Sequence, residues 1–384
     1  MPDKSTGPRP PEPPPDPLAA RADLLRQALR DVEPEAFAAA LDRAIAGRGR
    51  TLLEAIERYR RHPYRRDLPE PPALWRAREG PARLLDYGAL PEATGPGTPL
   101  LVVPSLINRA YVLDLSRRCS LLRWLAAEGF RPLLLDWGAP DPVTRGYTLT
   151  DYVAGTLEEA LDTLLAEAGR APLLLGYCMG GLLALALAQR RERDLAGLAL
   201  LATPWDFQAG SSLQGPLARA ALLAFAPALE LLGELPVDAI QSLFAGLDPQ
   251  LAVRKFLAFA RLDPESSRAA DFVALEDWLN DGVPLSAPVA RECLGGWYGE
   301  NTPARGLWRI AGRPVEPAAL SLPSLVLVPA QDRIVPPASA LALGEAIPGA
   351  EIGRPSSGHI GMVVSGRAAE AVWRPLAAWL RARA

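Results

Sequence analysis

Histidine is almost missing from this chain, with two residues in 384. Cysteine is nearly as scarce: Cys119, Cys178 and Cys293 stand far apart, with no CxxC pair. No metal site is therefore expected, since zinc needs clustered His and Cys ligands. There is no P-loop, and no GxGxxG follows an apolar run, so nucleotide-cofactor chemistry is not indicated. Lysine is nearly absent, so the cations are almost all arginine, which reads as genomic base composition. The 41 basic and 44 acidic residues leave a net charge of −3. No basic excess points to nucleic acid or to an anionic membrane surface. The start, MPDKSTGPRPPEPPPDP, lacks the apolar core of a secretion signal and reads as a disordered Pro-rich tail, residues 1–17. An odd cysteine count without such a signal implies a reducing cytoplasm. Long apolar runs are also lacking. The most apolar stretch, AALLAFAPAL (220–229), is bounded by Arg219 and Glu230 and broken by Pro227. It reads as too short to cross a bilayer, so no transmembrane segment is expected.

What is present is a globular composition, 49% hydrophobic and 22% charged, which supports a sizeable core. Residues 18–70 begin with helical spacing in LAARADLLRQALR and PEAFAAALDRAIAG. ALWRAREGPARLLDYG then predicts two short strands about a Gly80-Pro81 turn. From about residue 97 short apolar runs alternate with amphipathic helices: PLLVVPS, RPLLLDW, APLLLGY, LAGLALLATPW, and later LPSLVLVPA and AEIGRPS. That rhythm predicts a mostly parallel, doubly wound α/β sheet covered on both faces. It pauses between Gln208 and Leu322, where the chain is apolar and helical. The expected organisation is a core of residues 71–207 and 321–384 with a cap inserted at 208–320. Helices packed on the side of the core are the alternative.

The turn GYCMGG (176–181) joins the run PLLLG to the helix GGLLALALAQ. Gly-x-Cys-x-Gly is the nucleophile-elbow pattern with Cys for Ser. In so tight a turn Gly176 and Gly180 lack the Cβ that would clash, and the central side chain projects outward. A helix N-terminus favours a thiolate on Cys178. The Met179 N–H points at a developing oxyanion. The bland reading makes Cys178 a small buried hydrophobe. The order downstream favours the chemical one. Asp332 follows the strand run LVLVPA and His359 follows AEIGRPS, which gives the nucleophile, acid, histidine order of the α/β-hydrolase fold. The other histidine, His62, lies upstream in RYRRHPYRRD and reads as structural. So do Cys119 and Cys293, which have no partner at recognisable spacing.

These residues also resemble a family. PSLINRAYVLDL (104–115), SLLRWLAAEGFRPLLLDWGAPD, TLTDYV, GYCMGG, TPWDFQA (203–209), WLNDGVP (278–284), QDRIVPP and GHIGMVVSG occur in the order found in polyhydroxyalkanoate synthases. The short class III catalytic subunit is the nearest type, and the resemblance covers about residues 70–380. It implies an acyltransferase that polymerises (R)-3-hydroxyacyl-CoA and releases coenzyme A, so that coenzyme A is a leaving group and no cofactor is needed. Cys178 would carry the acyl chain with His359 and Asp332 as its partners. Leu106 and Ile107 fall where an oxyanion-hole N–H is expected, beside that of Met179. The resemblance further implies a polyester product, a second synthase subunit, a homodimer, and a place in the cytoplasm at the surface of polyester granules. Arg109 and Arg145 are candidates for the coenzyme A phosphates. Two alternatives stay open. One is a depolymerase or thioesterase of the same fold, and the other is a non-catalytic granule-associated homologue.

Overall fold

In the computed structural model the described residues are 17–30, 32–210 and 213–384. The expected tail lies outside them, except for Pro17, which opens the first helix. Eight strands make one sheet: β1 (Ala73–Arg76), β2 (Arg83–Asp86), β3 (Thr98–Val103), β4 (Phe130–Asp136), β5 (Leu173–Tyr177), β6 (Gly197–Leu201), β7 (Ser324–Leu327) and β8 (Glu351–Gly353). Their order is β1-β2-β4-β3-β5-β6-β7-β8. β1 and β2, flanking the predicted turn, pair antiparallel, as do β2 and β4. Every other neighbouring pair is parallel. This is the mostly parallel sheet that the run pattern predicts, in the arrangement of the α/β-hydrolase fold that the residue order implies.

The physical reason is visible in β5 and β6, where every residue is buried. A strand covered on both faces needs an unbroken apolar run instead of an alternating one. Alternate residues still part company: Leu101 and Leu174 join the core on one face, Leu100 and Leu175 the core on the other. Helices α1 (Pro17–Ala28) and α2 (Pro34–Arg61) precede the sheet, and α3 (Leu121–Ala127), α4 (Glu158–Ala168) and α5 (Met179–Arg190) lie between its strands. From Met179 to Ala188 every residue of α5 is buried, so this helix is apolar all round.

Between β6 and β7 the chain forms α6 (Gln214–Leu232), α7 (Val237–Leu247), α8 (Leu251–Phe259), α9 (Ser267–Asn280), α10 (Ala287–Arg291) and a π-helical turn, Glu292–Gly299. α11 (Pro337–Ala346), α12 (Gly361–Val364) and α13 (Arg374–Arg381) complete the order. The chain divides into two compact units, one made of residues up to Arg61 with Val253–Arg261, the other of the rest. Within the first unit Phe256 meets Tyr59 edge-on at 5.8 Å, and the Arg58 guanidinium lies 4.5 Å over the Phe259 ring. The C-terminal end of α2 thus meets a segment from the middle of the expected cap, while Phe37, Leu41, Ile45 and Leu53 of the same helix stay exposed.

α6 corrects one expectation. The apolar stretch is not limited to ten residues: the helix runs through Pro227 for 19 residues and is long and apolar enough to cross a membrane. An interior proline removes one N–H from the ladder and crowds the carbonyl four residues back, yet the helix continues past Pro227 to Leu232. Only 17% of its apolar window is buried. One side packs inward through Ala218 and Leu229, and Leu223 and Leu231 are 76% and 85% exposed.

Candidate active site

The site lies at the carboxyl ends of the central parallel strands, where α/β sheets place their ligands. β5 stops at Tyr177, α5 starts at Met179, and Cys178 is the single residue between them, at φ 56° and ψ −129°. A positive φ at a non-glycine residue is strained and persists only when its surroundings enforce it. Here the Cys178 N–H donates to Leu201 O (2.9 Å), and Cys178 O accepts from the Gly181 N–H (2.9 Å). The turn closes so tightly that a Cβ on Gly176 would sit 2.5 Å from Gly181 Cα. A Cβ on Gly180 would strike the carbonyls of Val103 and Pro104. The glycines of the motif are therefore steric requirements of this turn.

The loop after β7 carries Asp332 and the loop after β8 carries His359. The two meet: His359 Nδ1 lies 2.7 Å from Asp332 Oδ2, with both side chains buried. Asp332 is itself fixed, since its Oδ1 accepts from the Ile334 and Val335 N–H groups at 2.8 and 2.9 Å. With Nδ1 occupied, the other ring nitrogen serves the hydrogen bond to the Cys178 side chain. Burial opposes charge on the imidazole, but the Cys178 sulfur and the Asp332 carboxylate outweigh it and lift the His359 pKa to about 10. The structure thus brings Cys178, Asp332 and His359 together at one site.

Met179 N–H is the first amide of α5 and has no preceding turn to bond into. Leu106 lies in the loop after β3 and is buried. Ile107 is different: its N–H donates to Ser105 Oγ at 3.0 Å and is not free for an oxyanion. Of the three expected oxyanion donors, Ile107 is thus the one whose N–H is engaged within its own loop. Arg109 and Arg145 are both engaged with acids of the insertion, Arg109 with Asp281 (3.3 Å) and Arg145 with Glu234 (3.1 Å). Cys119 and Cys293 are buried, and burial pushes both thiols up. His62 is engaged with backbone, through Nδ1 to the Tyr64 N–H and through Nε2 to Pro264 O.

Two residues escaped the sequence reading. The Tyr177 hydroxyl donates to His359 O (3.2 Å) beneath the elbow, and its ring lies 5.4 Å from the imidazole. Tyr298, on the π-helical turn, packs edge-on against Phe207 at 4.7 Å. Burial, then the nearby Cys178 and Cys293 sulfurs, raise its phenol well above the ordinary value. Neither has a local sequence signal, because each meets its partner across some ninety residues or more.

The alpha/beta hydrolase fold family matches residues 98–365, which fixes the class. The solved BpoC structure of Mycobacterium tuberculosis shares the fold, with a TM-score of 0.50 over 79% of this chain and 96% of that one, at 16% identity. The poly(3-hydroxyalkanoate) polymerase subunit PhaC of Synechocystis sp. is 31% identical over 74% of this chain and 78% of its own length. The corresponding subunit of Allochromatium vinosum is 29% identical over 74% and 81%. That of Haloferax mediterranei is 28% identical over 80% of this chain, but the match spans 63% of that relative. The chain belongs to the poly(3-hydroxyalkanoate) polymerase family of α/β hydrolases.

Proposed function

We propose that this chain is an acyltransferase that polymerises (R)-3-hydroxyacyl-CoA into polyhydroxyalkanoate. The observation that carries the reading is the trio itself: a buried Asp332 on His359 Nδ1, with the Cys178 side chain hydrogen-bonded to the same imidazole. In the first half-reaction His359 holds the thiol proton and the Cys178 sulfur attacks the thioester carbonyl. The oxyanion draws on the Met179 and Leu106 N–H groups. The intermediate collapses by breaking the bond to coenzyme A, which leaves as a thiol with the proton from His359. In the second half, His359 takes the proton of an incoming 3-hydroxyl and the oxygen attacks the acyl-Cys178 carbonyl. An ester forms, and the Cys178 sulfur is released and ready to be reacylated.

Cysteine suits this task because thioester exchange is nearly balanced, so the chain stays activated between additions. No cofactor is needed, since coenzyme A is the leaving group of the substrate. The insertion between β6 and β7 would exclude water, which competes with the hydroxyl for the acyl-enzyme. The exposed leucines of α6 give an apolar polyester a surface to lie on, in keeping with a cytoplasmic enzyme at granules. A second synthase subunit and self-association belong to the same proposal.

The test is coenzyme A release from (R)-3-hydroxybutyryl-CoA with turbidity followed in the same cuvette. Wild type is expected to release thiol and grow turbid, and Cys178→Ala to do neither. Thiol release with free hydroxybutyrate and no turbidity would make the protein a hydrolase of this fold. Full activity in Cys178→Ala would remove the nucleophile from the mechanism.

A further inference from the structure

The loop carrying Leu106 is held at both ends by indole N–H groups. At its start Pro104 O accepts from Trp137 Nε1 (3.0 Å), at the end of β4. At its finish Arg109 O accepts from Trp278 Nε1 (2.8 Å), on the last turn of α9. Between them the backbone is unusual. Asn108 has φ 63°, and Ile107 N–H turns back to Ser105 Oγ. The start of the loop cannot shift toward α5, because the Val103 and Pro104 carbonyls already press on Gly180. The placement of residues 105–108 thus depends on Trp137 from the sheet and on Trp278 from the insertion.

The contacts around Trp278 differ in weight. Asp281, three residues on, pairs with Arg109 at 3.3 Å, but the two side chains are 47% and 36% exposed. An exposed pair of this kind contributes little. The Trp278 ring is 5% exposed, and its N–H is held to a half-buried carbonyl, a stronger tie than a solvent-facing ion pair. An oxyanion donor displaced by half an ångström loses much of its effect.

We propose that Trp278 is a positioning residue: by holding Arg109 O, the insertion sets where the Leu106 N–H points relative to the acyl carbonyl on Cys178. This rests on the acyl-transfer reading. It gives the WLND segment a role in the chemistry and ties the insertion to the oxyanion site.

The test exploits a difference between two reactions of the same sulfur. Acyl transfer builds an oxyanion; alkylation by iodoacetamide attacks saturated carbon and builds none. Trp278→Phe keeps a ring and removes the N–H. Its kcat for coenzyme A release from (R)-3-hydroxybutyryl-CoA should fall about 10- to 100-fold, approaching the loss of a full oxyanion donor, with KM moving less. Its rate and pH profile of Cys178 alkylation should match wild type. Asp281→Asn, which removes the charge paired with Arg109 and keeps an oxygen for the Tyr111 hydroxyl, should cost no more than about 5-fold. A parallel fall of release and alkylation in Trp278→Phe would reduce Trp278 to a structural residue and overturn the proposal, as would no fall in either. Benzothienylalanine at 278, with sulfur in place of N–H and nearly the same shape, repeats the comparison if the phenyl variant does not fold. Wild type that alkylates but releases no coenzyme A would overturn the acyl-transfer reading itself.

Discussion

His359 is touched on three sides: by Asp332 at Nδ1, by the Cys178 sulfur, and by the Tyr177 hydroxyl at its backbone carbonyl. Each contact has a different expected signature. Asp332→Asn leaves the shape of the pair but reverses the hydrogen-bond preference at Nδ1, so kcat should fall by at least about 10²-fold with the fold retained. The charge on His359 couples to stability. Its pKa of about 10 stands above the ordinary 6.5, so the folded state binds the proton more tightly than the unfolded chain. That stabilisation is fully present below the ordinary value and is lost as pH rises through the folded one. Between pH 7 and pH 10 the thermal midpoint of wild type should therefore fall more steeply than that of His359→Gln. Equal slopes would show that the imidazole does not hold its proton. At this scale the sequence carried Cys178, Asp332 and His359, because Cys178 directly follows a strand run and the other two lie in the loops just beyond theirs. It could not carry Tyr177 or Tyr298, whose contacts come from distant elements. Nor could it reveal that Ser105 takes the Ile107 amide, since that depends on one hydroxyl rotamer.

The elbow shows how elements meet at fixed cost in space. β5, α5 and the segment after β6 converge so closely that a Cβ on Gly181 would collide with the Thr203 side chain, which is fully buried. Gly181→Ala should destabilise the protein by about 1–3 kcal/mol, as overpacking does, seen as a lower denaturation midpoint with an unchanged slope. A stable variant of wild-type activity would mean that Thr203 moves aside. Strand runs were legible because full burial on two faces leaves an unbroken apolar signature. The length of α6 was not, because Pro227, Arg219 and Glu230 look like boundaries in sequence. In the fold Arg219 turns its guanidinium to Gly299 O (2.7 Å), so a charge ends up inside the helix without ending it. The two indole bonds on the 105–108 loop were equally hidden, since Trp278 reaches Arg109 across 169 positions.

Over the whole molecule, a long-range constellation sits at one end of a parallel sheet, with a large helical insertion entering between β6 and β7. The exposed leucines of α6 are not needed for the fold, since their side chains meet solvent. Replacing Leu217, Leu223 and Leu231 together with Glu should change stability by no more than about 0.5 kcal/mol per site. The same variant should lose co-sedimentation with polyester particles while its initial rate of coenzyme A release persists. Retained binding would exclude this helix as the polymer surface. The division of the chain into units was only partly open to sequence reading, because α8, in the middle of the insertion, supplies aromatic partners for α2. The central claim concerns one covalent bond, a thioester on Cys178. Its most direct test is to mix the protein with (R)-3-hydroxybutyryl-CoA, quench in acid and weigh the intact chain and its peptides. A hydroxybutyryl adduct confined to the peptide of Cys178, and missing in Cys178→Ala, is expected. An adduct elsewhere, or coenzyme A release with no adduct on that cysteine, would contradict it.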